Sequence, residues 1–226
     1  MDQGLSGNGI YSPSGMRLAK AVFLGLIILV GSITTGGVSL AKSPKFVESD
    51  ITSDTRWTRS EGPFRIIEPI KVKNNVTLII EAGTRVEFAS GAKLVVKGNL
   101  TAGQNGDRRV IFTSSKPSPK PGAWGGIELF GPTEIAQNPS GFVNGTVNFD
   151  GVSIRYATTG LEVWKTGTAI LTNVRISNVS ESGIAVTRRG ELRIHNSIIN
   201  KGITPGIVFG GVNPRYLKIS SSIVNG

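Results

Sequence analysis

From Arg65 onward the chain has no sustained run with apolar residues at i, i+3, i+4 and i+7; what recurs is short alternation. Leu78-x-Ile80, Val86-x-Phe88, Leu94-x-Val96, Val110-x-Phe112, Ile127-x-Leu129, Val147-x-Phe149 and Val152-x-Ile154 each put apolar residues on one side of an extended segment. Gly, Asn, Asp or Ser fills the gaps between them. Period-two alternation of this kind predicts strands, not helices. Strands this short cannot build a free-standing sandwich, so another source of burial has to exist.

The second half supplies it. FDGVSI from Phe149, LTNVRI from Leu171, IHNSII from Ile194 and ISSSIV from Ile219 align at offsets of 22, 23 and 25 residues. Apolar Phe149, Leu171, Ile194 and Ile219 fall in one column, and Ile154, Ile176, Ile199 and Val224 in another. A second register, Gly160-Leu-Glu-Val, Gly183-Ile-Ala-Val and Gly206-Ile-Val-Phe, repeats at 23 and 23. Self-similarity at this period with β-type segments predicts a solenoid, in which stacked rungs bury columns that no single rung could bury alone. The predicted fold is all-β: a right-handed parallel β-helix with rungs of about 22–25 residues, its hand following the rule for parallel crossovers. Glycine before each Ile-x-Val strand is expected to supply a φ > 0 turn. Asn173 and Asn196, aligned with Gly151 and Ser221, are expected at another corner, where Asn tolerates the left-handed region and stacked amides bond between rungs.

The first half repeats less regularly. Excursions at 103–109, 115–126 and 130–145 interrupt its strands, and Pro117, Pro119 and Pro121 cannot sit in a ladder, which makes that piece a surface loop. Residues 42–64 are polar, with Phe46, Trp57 and Phe64 as scattered apolar anchors, and are expected as an N-terminal cap or linker before the helix of 65–226. Upstream, Arg17 and Lys20 precede an uncharged apolar stretch from Ala21 to Ile33, and Ser39-Leu40-Ala41 fits a signal-peptidase site. Residues 1–41 are therefore expected to be an N-terminal extension with a signal helix, and the product to be secreted or held at the cell surface. The apolar stretch is shorter than the ~20 residues a spanning helix needs, so membrane contact is expected only through this segment if it stays uncleaved.

The run from Asp54-Thr-Arg-Trp57 through Val76-Thr-Leu-Ile-Ile-Glu-Ala-Gly-Thr-Arg-Val-Glu-Phe88, Leu94-Val-Val-Lys-Gly-Asn-Leu-Thr-Ala-Gly103, Val110-Ile-Phe-Thr-Ser114 and Ala123-Trp-Gly-Gly-Ile127 resembles the opening rungs of secreted right-handed parallel β-helix repeat proteins of the pectin-lyase-like fold group. The resemblance extends from about Ile51 to Gly226. That group holds lyases, hydrolases, epimerases, tailspikes, adhesins and junction proteins, so the resemblance implies a fold and selects no reaction.

Composition narrows the chemistry. No cysteine excludes disulfides, thiolate nucleophiles and Cys-ligated zinc, and a lone histidine, His195, excludes sites needing two imidazoles. The enzymes of the fold group act on uronate-rich polysaccharides. A hydrolase of that kind needs paired carboxylates, and a lyase needs clustered acids for Ca²⁺ with a basic residue beside them. From Thr146 to Gly226 the acids are Asp150, Glu162, Glu181 and Glu191. In the aligned columns Asp150 is followed by Thr172, His195 and Ser220, and Glu162 by Ala185 and Val208. No two carboxylates stack there, so no catalytic residue, cofactor or metal is assigned.

The charge balance points to binding. The chain carries +10, and removing residues 1–41 leaves 23 basic and 14 acidic side chains, a mature charge of +9. Export argues against nucleic acid, and the natural partner of a basic surface is then an acidic polysaccharide or another anionic surface polymer. Arg155, Arg175, Arg188, Arg189 and Arg193 are expected on successive rungs as a diffuse basic stripe, with His195 nearby. Trp164, outward because Val163 faces inward, stands beside Lys165 as a sugar-stacking candidate. Arg108-Arg109 and Arg188-Arg189 are pairs expected in solvated turns. The sequence ends one strand into a rung without a cap, which predicts either a truncated solenoid or end-to-end self-association. The function expected is an exported β-helix module with a structural or adhesive role that binds anionic glycans. The alternative is a polysaccharide lyase or glycoside hydrolase whose active site is lacking or lies in further rungs. Sequons occur at Asn75, Asn99, Asn144 and Asn178.

Overall fold

A computed structural model describes residues 42–104, 106–131, 145–199, 205–211 and 214–224. The signal segment and the Asn144 sequon lie outside the described residues. The chain winds into about seven turns, each of three short strands. Turn 1 holds β1 (Lys45–Val47), a bridge at Ile51 and β2 (Thr55–Trp57); turn 2, β3 (Phe64–Ile66), β4 (Ile70–Val72) and β5 (Thr77–Ile80); turn 3, β6 (Arg85–Phe88), β7 (Lys93–Val96) and β8 (Asn99–Ala102). Turn 4 holds β9 (Val110–Ser114), β10 (Trp124–Phe130) and β11 (Thr146–Asp150); turn 5, β12 (Val152–Arg155), β13 (Ala157–Trp164) and β14 (Thr168–Thr172). Turn 6 holds β15 (Arg175–Ser177), β16 (Ser182–Thr187) and β17 (Glu191–His195); turn 7, β18 (Ile198–Ile199), β19 (Ile207–Gly210) and β20 (Tyr216–Ser220), followed by β21 (Ile223–Val224).

Among the described residues every strand pairing is parallel and joins a strand to its counterpart one turn away. The result is three sheets: an eight-stranded one from β1 to β21, a six-stranded one from β4 to β19 and a seven-stranded one from β2 to β20. They are called here the first, second and third faces. Residues 42–64 belong to this winding, because β1 pairs with β3, Ile51 with Val72 and β2 with β5.

The alternation read from the sequence is the inward set. On the first face Phe64, Val86, Phe112, Ile154, Ile176 and Ile199 stack in register. On the second face Leu94, Ile127, Leu161 and Ile184 do so, and on the third Leu100, Val147, Ala169 and Leu192. All of these side chains are buried. Strands of two to eight residues suffice because each buries its inward residues against the turns above and below as well as across the coil. Aromatic rings reinforce the early turns: Trp57 stacks on Phe64 at 4.7 Å, Phe88 on Trp124 at 3.9 Å, and Phe112 lies 5.8 Å from Phe149. Trp124, under the proline-containing loop, also donates its indole N–H to Arg155 O at 2.8 Å.

Two recurrent positions behave differently. Between the third and first faces, Gly151, Asn173, Asn196 and Ser221 all have positive φ, at 69°, 58°, 46° and 49°. Asn196 Nδ2 donates to Asn173 Oδ1 at 3.0 Å. This is the amide-bearing corner expected from the alignment. At the recurrent glycine, which lies inside β13 and β16, the expectation of a turn fails in an informative way. Gly160 and Gly183 are not in the left-handed region; a Cβ on Gly160 would lie 2.6 Å from Gly183 O, and one on Gly183 would lie 2.4 Å from Ile199 Cγ2 and 2.7 Å from Gly206 O. These glycines recur because successive backbones approach too closely for any side chain.

Candidate functional site

Outward residues follow the same columns as inward ones, so polar chemistry also stacks turn upon turn. The six residues singled out from the sequence are distributed over all three faces. Arg155 and Arg175 stand on β12 and β15 of the first face, Trp164 and Lys165 at the end of β13 on the second, and Arg193 and His195 on β17 of the third. Two of these pairs sit in built surroundings that include residues absent from the sequence reading.

On the third face Ile170, Arg193 and Lys218 form one outward column, and Thr172, His195 and Ser220 the next. Together they line a shallow groove of about 220 Å³. The Arg193 guanidinium lies over the Tyr216 ring, 4.8 Å from its centroid. His195 Nδ1 and Ser220 Oγ are 3.1 Å apart. Glu191, on the same strand as Arg193, is engaged by Arg215 at 3.3 Å. Arg193 and Lys218 are therefore two cations in register on adjacent strands, whose spacing is about 4.8 Å, with an aromatic ring beneath one of them and no carboxylate between them.

The second face carries a pairing that the sequence columns missed. Glu128 of β10 lies in register with Glu162 of β13. Glu128 Oε1 accepts from Lys93 Nζ at 2.7 Å. Burial pushes the Glu162 carboxyl above its ordinary value; Glu128 and Glu181 push the same way, while Trp164 and Lys93 oppose them. The Trp164 indole N–H is buried without a fully formed hydrogen bond, and Glu162 is the acceptor nearby. One face of the Trp164 ring is occupied by Phe130, stacked at 5.7 Å and 2°, and its register partner on the other side is Thr187. Among the described residues no group of three His, Asp or Glu is placed to share a metal ion. Glu128 escaped the alignment because it lies 34 residues before Glu162, across the long excursion after Phe130. The matching triplets Ile127-Glu-Leu129 and Leu161-Glu-Val163 were the available signal.

On the first face Arg109, expected in a solvated turn, is half-buried against β12. Its Nη1 donates to Val152 O at 3.2 Å and also to Asn173 O. Its neighbour Arg108 is exposed, as are Arg188 and Arg189.

Residues 49–156 match the model of the family described as a pectate-lyase like beta helix domain. The match spans the bridge at Ile51 through β12, and the same three sheets continue without a break through β20. No curated protein and no solved structure matches the chain.

Proposed function

We propose that this chain is an exported, surface-located β-helix module that holds an acidic polysaccharide along its third face, with a structural or adhesive role. The observation that carries the reading is the groove of Arg193, His195 and Lys218, in which two stacked cations lack an acidic partner and Tyr216 offers a ring. A uronate chain laid along the turns places successive carboxylates against Arg193 and Lys218, where charge-assisted hydrogen bonds are strongest for the planar guanidinium. Apolar Ile170 and the Tyr216 ring meet the sugar's C–H faces. Parallel strands make this surface rigid, so little ordering cost attends binding.

The test is affinity electrophoresis and calorimetric titration of the chain with polygalacturonate, using neutral dextran as the comparison polymer. Binding is expected to be selective for the acidic polymer, to weaken with salt, and to fall at least about tenfold in the Arg193→Gln, Lys218→Gln double variant, in line with the loss of two charge-assisted contacts. Equal binding of dextran, or no loss in the double variant, would refute the reading.

A second reading, a polysaccharide lyase or hydrolase, rests on the Glu128–Glu162 pair with Lys93. A carboxyl whose proton is held above the ordinary range beside a second carboxylate is the arrangement general acid–base chemistry needs. Product release from uronate polysaccharides that is abolished by Glu162→Gln would establish it. Absence of release alongside tight binding would leave the binding module as the description.

A further inference from the structure

The first face holds a concentration of positive charge that the third-face reading does not use. Arg155 and Arg175 sit diagonally on adjacent strands: Ser153 pairs with Arg175 and Ser177 with Arg155. The strand spacing and rise put their Cα atoms roughly 8 Å apart, a span that two guanidinium side chains can close onto one small ligand. Arg155 Nε donates to Ser153 Oγ at 3.0 Å, which orients its outer N–H groups away from the strand. The Arg175 guanidinium makes no hydrogen bond or ion pair among the described residues. Arg109 reaches across from the turn below and is anchored by Val152 O and Asn173 O.

The electrostatics agree with this geometry. Burial, then the charges of Arg175 and Arg155, lower the Arg109 pKa, while Asp150 alone among the acids acting on it opposes them. Arg109 is held by backbone carbonyls and Arg155 by a serine, and with Arg175 beside them and one acid at the corner the three guanidiniums carry net positive charge. By contrast, Arg65 and Arg85 are matched to Glu87, Arg56 to Glu81 and Arg215 to Glu191.

We propose that Arg109, Arg155 and Arg175 form an oxyanion-binding site on the first face, taking a phosphate, sulfate or carboxylate group between the outer N–H groups of Arg155 and Arg175. Arg109 is the fixed base of the site, and Arg155 and Arg175 are its jaws. Each jaw presents a fork that matches two oxygens of such a group. The site is separate from the groove at Arg193, on a different sheet of the coil, so each can exist without the other.

The test is calorimetric titration of the full chain with inorganic phosphate at constant ionic strength, with Arg155→Gln, Arg175→Gln and Arg193→Gln beside it. Saturable binding is expected, weakened five- to twentyfold by either first-face substitution and unchanged by Arg193→Gln. Arg155→Lys, which keeps the charge and loses the fork, is expected to retain part of the affinity. Circular dichroism checks that each variant stays folded, and both sites are exposed enough to tolerate these changes. A sulfated or uronate polymer displaced by phosphate, with binding lost in Arg175→Gln, assigns the anion to a polysaccharide. Phosphate binding without polymer binding assigns it to a free ion. No saturable phosphate binding, or binding that survives both first-face substitutions unchanged, overturns the site, and neither result bears on the third-face reading.

Discussion

Gly183→Ala separates two explanations of the recurrent glycine that make opposite predictions in sign. Were Gly183 kept for flexibility at an ordinary φ, alanine would restrict the unfolded chain and stabilise the fold by about 0.4–1 kcal/mol. The geometry predicts the reverse. The new Cβ would sit 2.4 Å from Ile199 Cγ2 and 2.7 Å from Gly206 O. Ile199 is fully buried in the first-face column and has little room to turn. Gly206 O accepts from Ile184 N at 2.9 Å, one of the bonds joining turn 6 to turn 7, and cannot retreat without lengthening it. Overpacking of this kind costs roughly 1–3 kcal/mol, and a weakened backbone bond adds up to about 1 kcal/mol. After the entropic gain, the net is a loss of about 2 kcal/mol.

Because a solenoid's stability is a sum over neighbouring turns, that loss should be local. Urea unfolding followed by circular dichroism reports the total. Hydrogen exchange should show faster opening in β19 and β20 than in β5 and β8. Gly91→Ala is the comparison: its φ is +77° and nothing lies within 4 Å of its Cβ position, so only backbone strain of about 1–2 kcal/mol applies. Asparagine tolerates the left-handed region, so Gly91→Asn should recover much of that loss while Gly183→Asn should be worse than Gly183→Ala. A neutral or stabilising Gly183→Ala, or rescue by asparagine at 183, would refute the close-approach argument.

Asn173 combines a φ of 58° with the amide bond from Asn196. Asn173→Ala should therefore cost about 2 kcal/mol and Asn173→Gly, which loses only the bond, about 1 kcal/mol in urea titrations. Burial pulls the Glu87 carboxyl upward, but hydrogen bonds from Arg85 and Arg65 outweigh it and its pKa lies below the ordinary value. A depressed carboxyl stabilises the fold above the unfolded-state pKa and loses that contribution as pH falls through the folded one; Glu87→Gln should thus be destabilised at neutral pH and converge on the parent as pH falls through the lowered folded value. Glu162 has the opposite shift. The parent should lose stability as pH rises from the unfolded-state value through the raised folded one, and Glu162→Gln should raise the urea midpoint at neutral pH.

The columns were legible because a parallel coil converts sequence period into spatial stacking. Phe149, Leu171 and Ile194 align at offsets of 22 and 23 residues in the sequence and are register neighbours in the fold. The amide corner followed from the same alignment plus asparagine's tolerance of positive φ. The glycine column was equally visible, but its cause was not. Periodicity tells that a position must be glycine and leaves open whether the backbone angle or a neighbouring carbonyl demands it. The early turns were less legible because their excursions change the offset, which hid Glu128 beside Glu162. It also made residues 42–64 look like a cap, although Trp57 and Phe64 already stack inside the coil.

What stacking cannot reveal is which columns share a face. Arg155, Arg175 and Arg193 form one stripe when only rung order is counted. Within a rung, however, the strand that carries a residue decides which way it points. Arg155 and Arg175 belong to first-face strands and Arg193 to a third-face strand, so the stripe resolves into two basic sites on different sheets. Arg109 shows the converse. It is adjacent to exposed Arg108 in sequence, yet it is half-buried and bonded to Val152 O and Asn173 O. The unit of each proposed site is therefore the outward column on one sheet with the corner residues that lean onto it. Selectivity among polymers should track those columns: substitutions at Arg193 and Lys218 should act together, and independently of Arg155 and Arg175. A double-mutant cycle between Arg193→Gln and Arg175→Gln in polygalacturonate binding should give no coupling, and one between Arg193→Gln and Lys218→Gln should give clear coupling. The opposite pattern would mean that the polymer crosses the corner at Asn173 and Asn196 and bridges the two faces.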